Sequence, residues 1–210
     1  MTPARRRRLD ANTRRAEIVE AASAVFDGRD PHSVTFEDVA DAAGVSRALV
    51  YNYFRDKGEL VAAVYLRSLG RLDAALAEAV GGPLEPEVHL PLVVRTYLQF
   101  AREDPEAFRN LVDTETAHHP AVREARRERR DAVARAWGDT PEARVVASAV
   151  LGLLEAATVA WLERSDLGAD SDRVANLLLA VLRNGLDSAT FAGATQTTWD
   201  DSDDPYPERS

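Results

Sequence analysis

The sequence contains no cysteine, a single lysine and a single methionine, and nowhere along its 210 residues does the period-two alternation of a β-strand persist. Without cysteine there are no disulfides, no thiolate metal sites and no cysteine redox sensing, and an intracellular setting is favoured. Lys57 stands alone among 26 basic residues; with the abundant alanine and valine, this reflects the codon bias of a GC-rich genome rather than chemistry. A targeting signal is missing too. The arginine run at residues 5–8 is followed by Leu9, Asp10, Ala11 and Asn12, where a signal peptide needs an apolar segment. The longest apolar stretch, residues 145–162, approaches the length of a membrane span but carries Glu155, Ser148 and Thr158. It reads as a helix buried all round by neighbours, so the chain is expected to be cytoplasmic, with no membrane partner.

Positive charge is also short. The net charge of -9 argues against a protein that coats nucleic acid by bulk electrostatics. The deficit is uneven, however. Residues 1–67 hold eleven basic against ten acidic groups, leaving fifteen basic and twenty-five acidic groups for the rest. A phosphate-binding surface is therefore expected in the first third.

What the chain has is helix, with apolar residues recurring at steps of three and four. A first helix is predicted from Asn12 or Thr13 to Phe26, with Ile18, Ala22, Val25 and Phe26 on one face. The stretch "TFEDVADAAGVSRALVYNYFRDKGELVAAV", residues 35–64, then carries unusually complete boundary signals. Thr35 is an N-cap hydroxyl with Asp38 at N3, and Val34 and Val39 have the spacing of a hydrophobic staple. Gly44 stops that helix, Ser46 caps the next, and Asp56 caps a fourth with Glu59 at N3. Two short helices joined by a tight turn form a helix-turn-helix. Val39, Ala40, Ala43, Val45 and Val50 close its core against the first helix.

The third helix is left with Arg47, Ala48, Leu49, Tyr51, Asn52 and Tyr53 for its other surfaces. Arginine can fork onto guanine, asparagine onto adenine, and Ala48 or Leu49 can touch a thymine methyl. Tyrosine hydroxyls and the helix starts at Thr35, Ser46 and Lys57 suit phosphates, which fix register without reading sequence. Phe54 is assigned to the core.

This stretch resembles the DNA-binding domain of the TetR/AcrR transcriptional regulators: "AAGVS", an aromatic at Tyr51, "YF" at Tyr53-Phe54, then Lys57 and Leu60. The resemblance covers residues 10–65; the remainder matches only as a helical domain of suitable length. It implies an all-α protein and a homodimeric repressor that leaves a palindromic operator on double-stranded DNA when a small molecule binds, with no cofactor. It places the DNA contacts on Thr35, Arg47, Ala48, Tyr51, Asn52, Tyr53 and Lys57. Leu49 departs from the pattern, standing where a smaller or polar residue is usual, and Gly58 weakens the start of the fourth helix.

The organisation expected is a flexible basic arm at 1–11, a helix-turn-helix domain at 12–67, a helical effector-binding and dimerisation domain at 68–192, and an acidic disordered tail at 193–210. The arm either reaches DNA or merely solubilises the chain. In the second domain, two nearly all-apolar helices need a partner surface. A symmetric four-helix interface built on Leu151, Leu154, Leu162, Val174, Leu178 and Val181 supplies one. Two charges stand out of place: Arg129 on an apolar stripe, and Glu155 within the apolar run. They form an ion pair, reach solvent by their stems, or orient a lipophilic or aromatic effector in a cavity walled by Tyr97, Phe100, Phe108 and Trp161. Glu115 and His119 have the spacing of a metal pair, but no further ligand or base accompanies them, and an enzyme is not expected.

Overall fold

The computed structural model describes residues 10–26, 29, 33–81, 86–113, 116–135, 137–163 and 170–188. Most of the expected arm and all of the tail after 193 lie outside these residues. The described residues are helical throughout: α1 (Ala11–Phe26), α2 (Phe36–Ala43), α3 (Arg47–Tyr53), α4 (Lys57–Val80), α5 (Pro86–Glu103), α6 (Pro105–Val112), α7 (Pro120–Arg135), α8 (Pro141–Glu163) and α9 (Ser171–Ser188), with one 3₁₀ turn at Thr116–His118.

The boundary chemistry explains the first half. Thr35 accepts the Asp38 amide through its hydroxyl, while the Asp38 carboxylate accepts the Thr35 amide at 2.7 Å, a complete capping box. Gly44 ends α2 at φ 62°, left-handed backbone that a β-carbon would strain. The Ser46 hydroxyl accepts the Leu49 amide to start α3. Asp56 caps α4 through the Glu59 amide, and the Glu59 carboxylate reaches back to the amide of Arg55, one residue further upstream than a regular capping box requires. At the far end, α9 is capped by Asp170, which accepts the Asp172 amide; Ser171 already lies within the helix.

Helix α4 is the spine of the molecule, because its faces feed two separate cores. Leu60, Ala63 and Val64 pack with Ile18, Ala22, Phe26, Val39, Val50 and Phe54 in the first. Ala62, Tyr65, Leu69 and Leu72 pack with residues of α5, α6, α8 and α9 in the second. Polar contacts reinforce the seam. The Ser23 hydroxyl donates to Glu106 at 2.7 Å, Arg67 reaches both Ser23 and Glu20, and Arg71 pairs with Asp104 at 2.6 Å. Helix α1 is thereby tied to α6 across α4.

The carboxylate caps have a pH consequence. The Thr35 hydroxyl and amide, with help from Arg29 and Lys57, hold the Asp38 carboxyl below its ordinary value of 3.8; the Glu59 amide does the same for Asp56. A carboxyl whose folded pKa lies below its unfolded one contributes stability above the unfolded value, and that contribution is lost as pH falls through the folded one. Helix content of the first three helices, followed by circular dichroism, is expected to be flat above about pH 5 and to fall below about pH 4. Asp38→Asn should flatten part of that slope; an unchanged acid transition in this variant removes the capping carboxylate as its cause.

The last two long helices correct the sequence reading. Helix α8 is not buried all round: only 22% of its most apolar window is covered within the chain, although by length and composition it could cross a membrane. Val145 is 70% exposed, Leu177 61%, Val181 58% and Leu162 41%. Val181 and Leu162, assigned to an interface, face outward, and Leu177 does so beside Val181. Leu154 and Leu178, assigned to an interface, are 2% and 5% exposed and belong to the chain's own core. Leu151 is half-buried and Val174 packs partly against that core. On a helix apolar on every side, sequence alone does not say which side meets the neighbouring helix and which is left over.

Candidate nucleic-acid interface and effector cavity

Helices α2 and α3 pack through Val39, Ala40 and Val50, which fixes the face α3 turns outward. Arg47, Ala48, Tyr51 and Asn52 are exposed on it, with Leu49 and Tyr53 half-buried beside them. Tyr51 is 49% exposed yet held from two sides: its ring meets Phe36 edge-on at 4.7 Å, and the Arg47 guanidinium lies 5.5 Å from its centroid. Arg47 also donates to the Tyr51 hydroxyl at 3.2 Å and stands 3.9 Å from Glu37. These contacts, the Tyr51 hydrogen bond first, push the Arg47 pKa upward and keep the guanidinium cationic. Asn52 is exposed on the same short helix. Leu49 does not enter the core and borders the outward face. Tyr53 packs partly into the first core, so its surface contribution is smaller than that of Tyr51. Phe54 is fully buried, as expected.

Around this face lie helix starts. Thr35 and Ser46 are exposed caps, and Lys57 opens α4 immediately after its Asp56 cap. Gly58, a weak residue for a helix start, has a reason the sequence did not reveal. A β-carbon there would stand 3.3 Å from the Asp56 carboxylate and 3.6 Å from the His119 ring. The loop before α7 thus rests on the start of α4. His119 itself accepts the Ala121 amide through Nδ1 at 3.2 Å, capping α7 from its N-terminal side. Glu115, its suggested metal partner, lies outside the described residues, among which no cluster of three metal-ligating side chains occurs.

Beside the second core lies a partly open cavity of about 320 Å³, lined from α4, α5, α6, α7 and α8. Tyr97, Arg129 and Glu155 line it, as expected. Phe108 does not; it is buried behind Tyr97, with the rings 5.8 Å apart and edge-on. Phe100 faces a different hollow beside Arg71 and Gln99, and Trp161 packs against the core without lining this space. The expected Arg129–Glu155 pair is not made. Arg129 instead binds Asp73 of α4, and the nearest base for Glu155 is Arg126, at 4.0 Å. Counting positions along an apolar stripe found the odd charges but could not show that α4 supplies an acid opposite Arg129. Tyr65, Arg126, Arg130 and Leu111, which the sequence reading missed, also line it. Burial, and then the nearby Glu155, push the Tyr97 phenol well above its usual range, so it stays neutral.

Residues 18–64 match the model of the bacterial regulatory proteins of the tetR family. The chain carries a TetR-family DNA-binding domain. It is 30% identical over 115 residues to the HTH-type transcriptional activator FasR of Mycolicibacterium smegmatis, covering 55% of this chain and 52% of that protein. The chain thus spans about half the length of the curated relatives it matches. A TetR-like transcriptional regulator from Rhodococcus sp. RHA1 superposes with a TM-score of 0.65 at 27% identity, over 86% of this chain and 99% of the other. The fold is also that of FadR from Bacillus subtilis, solved in complex with stearoyl-CoA (TM-score 0.65, 17% identity, 80% and 96% covered). The relatives are regulators of transcription, not enzymes.

Proposed function

We propose that this TetR-family chain is a cytoplasmic, homodimeric, sequence-specific DNA-binding regulator that represses by occupying a palindromic operator and is released when a small molecule fills the cavity. The observation that carries the reading is the outward face of α3, where Arg47, Tyr51 and Asn52 are presented together on a short helix held by the first core. Exposed base-reading groups on a second helix-turn-helix element suit the major groove. The exposed aliphatic side chains Val145 and Leu162 of α8 and Leu177 and Val181 of α9 support the dimer, which would set two half-sites about 34–36 Å apart. The ties from α6 to α1 through Glu106, Ser23 and Arg67 support a route from cavity to DNA: a shift of α6 moves the partners of α1. A ligand need only favour the DNA-incompetent arrangement; a hundredfold preference, ~2.7 kcal/mol, lowers operator occupancy substantially.

A gel-shift against the promoter regions of its own and neighbouring genes tests the reading. Within it, Arg47→Ala is expected to cost ~1–3 kcal/mol on the specific site and to relax preference at one base pair per half-site. Lys57→Ala should weaken binding alike on all sequences and lower the salt slope by about one. Equal losses on specific and random DNA for Arg47→Ala would overturn its base-reading role. FasR is named an activator; a reporter that loses expression when this chain is removed would reassign the sign of regulation and leave DNA recognition intact.

A further inference from the structure

Three arginines of α7 meet at the cavity, and their pairing is incomplete. Arg126, Arg129 and Arg130 sit three and four residues apart, so they share one helix face. Like charges at this spacing repel unless something between them is negative. Arg129 is answered by Asp73. Arg126 is answered mainly by neutral acceptors: it donates to the Leu111 carbonyl at 2.8 Å and the Tyr65 hydroxyl at 3.2 Å, with Glu155 only at 4.0 Å. Arg130 is half-buried and makes no ion pair among the described residues. The lining therefore holds three cations and a single carboxylate, beside an apolar floor of Leu69, Leu72 and Leu151. A larger groove of about 920 Å³ adjoins it, sharing Leu69, Tyr97, Arg129 and Leu151 as walls and continuing along Leu76 and Val93.

We infer that the cavity takes an organic anion: a carboxylate held by Arg130 and Arg126, with a lipophilic body lying on the leucine floor and along the adjoining groove. Guanidinium groups bind carboxylates through paired, charge-assisted hydrogen bonds. Such a headgroup supplies the negative charge that Arg130 lacks. A neutral apolar ligand would leave Arg130 without an anion, and Arg126 with only the distant Glu155, while stripping both of water, which opposes its binding. A cationic ligand meets three like charges. This rests on the cavity being the effector site of the regulator proposed above, and it narrows that effector from any lipophilic molecule to an acidic one.

The experiment uses the full chain and two matched probe pairs, octanoate with 1-octanol and 1-naphthaleneacetate with 2-(1-naphthyl)ethanol, with octylammonium as the cationic control. Direct binding is measured by calorimetry, and operator release separately by gel-shift. In at least one pair the acid should bind about tenfold or more tighter than its alcohol (~1.4 kcal/mol), with octylammonium weakest. Arg130→Met should reduce that preference to about threefold or less, and Arg130→Glu should reverse it toward octylammonium. Equal binding of acid and alcohol in both pairs, binding of neither, or a preference that survives both substitutions overturns the assignment. The two readings separate cleanly. An acid that binds through Arg130 without releasing DNA leaves the anion site standing and removes its role as effector. Alcohols that bind and release DNA as well as acids do the reverse.

Discussion

Val181→Arg is expected to leave the chain folded but monomeric, whereas Leu154→Arg is expected to unfold its second core. Both replace an aliphatic side chain on the last two long helices, and the sequence treated them alike as interface residues. Exposure separates them. Val181 is 58% exposed on α9, so in a lone chain an arginine there stays in water. In a two-fold interface the same arginine would be buried without a partner, twice per dimer. That costs roughly 3 kcal/mol or more, a shift of over a hundredfold in dissociation constant. Operator affinity should fall with it, because each half-site must then be bound independently. Leu154 is 2% exposed and packs in the second core, so an arginine there sets a charge and a longer side chain among apolar neighbours. Sedimentation velocity and circular dichroism on the two variants distinguish the outcomes. A wild type already monomeric at micromolar concentration, or a Val181→Arg protein as dimeric as the wild type, would end the interface proposal.

The contrast between these residues shows where sequence reasoning reaches and where it stops. Boundary chemistry is local, so Thr35, Gly44, Ser46 and Asp56 could be read directly: each acts on groups within a few residues of itself. The first core followed from a regular apolar spacing on short amphipathic helices, where one face has few alternatives. The base-facing residues of α3 followed in turn, by subtraction of those the core uses. The second half offered no such contrast. Helix α8 is apolar on every side, and the choice between self-burial and partner burial is made by helices far away in sequence. The cavity shows the same limit. Arg129 and Glu155 were conspicuous, but their real neighbours, Asp73 and Arg126, depend on how α4 and α7 cross. Tyr65 was invisible as a cavity residue because it lies within the stretch that resembles a DNA-binding domain; only the continuity of α4 carries it into the second core.

That continuity also governs the expected result for Phe54→Ala, which should abolish operator binding while leaving the second core in place. Phe54 is fully buried, ends α3 by donating its amide hydrogen bond to the Val50 carbonyl at 3.0 Å, and lies under the Arg15 guanidinium at 4.8 Å. It joins α1, α3 and the start of α4 in one contact. Truncating a buried phenylalanine costs ~3–5 kcal/mol in lost burial and residual cavity. A unit of this size has a total stability of only a few kcal/mol, at roughly 0.05–0.15 kcal/mol per residue. The first core is therefore expected to melt below physiological temperature. Tyr97, Leu98 and Phe108 of the second core do not depend on Phe54 and should keep their packing. Circular dichroism should accordingly lose the share of signal carried by the first three helices and no more. Phe54→Leu keeps most of the volume and should cost less than about 1.5 kcal/mol, with operator binding retained at 25 °C. If Phe54→Ala binds operator as the wild type does and melts at the same temperature, the ring is not what fixes α3. If instead both cores melt together, α4 transmits the damage along its length, and the two halves of the chain fold as one unit.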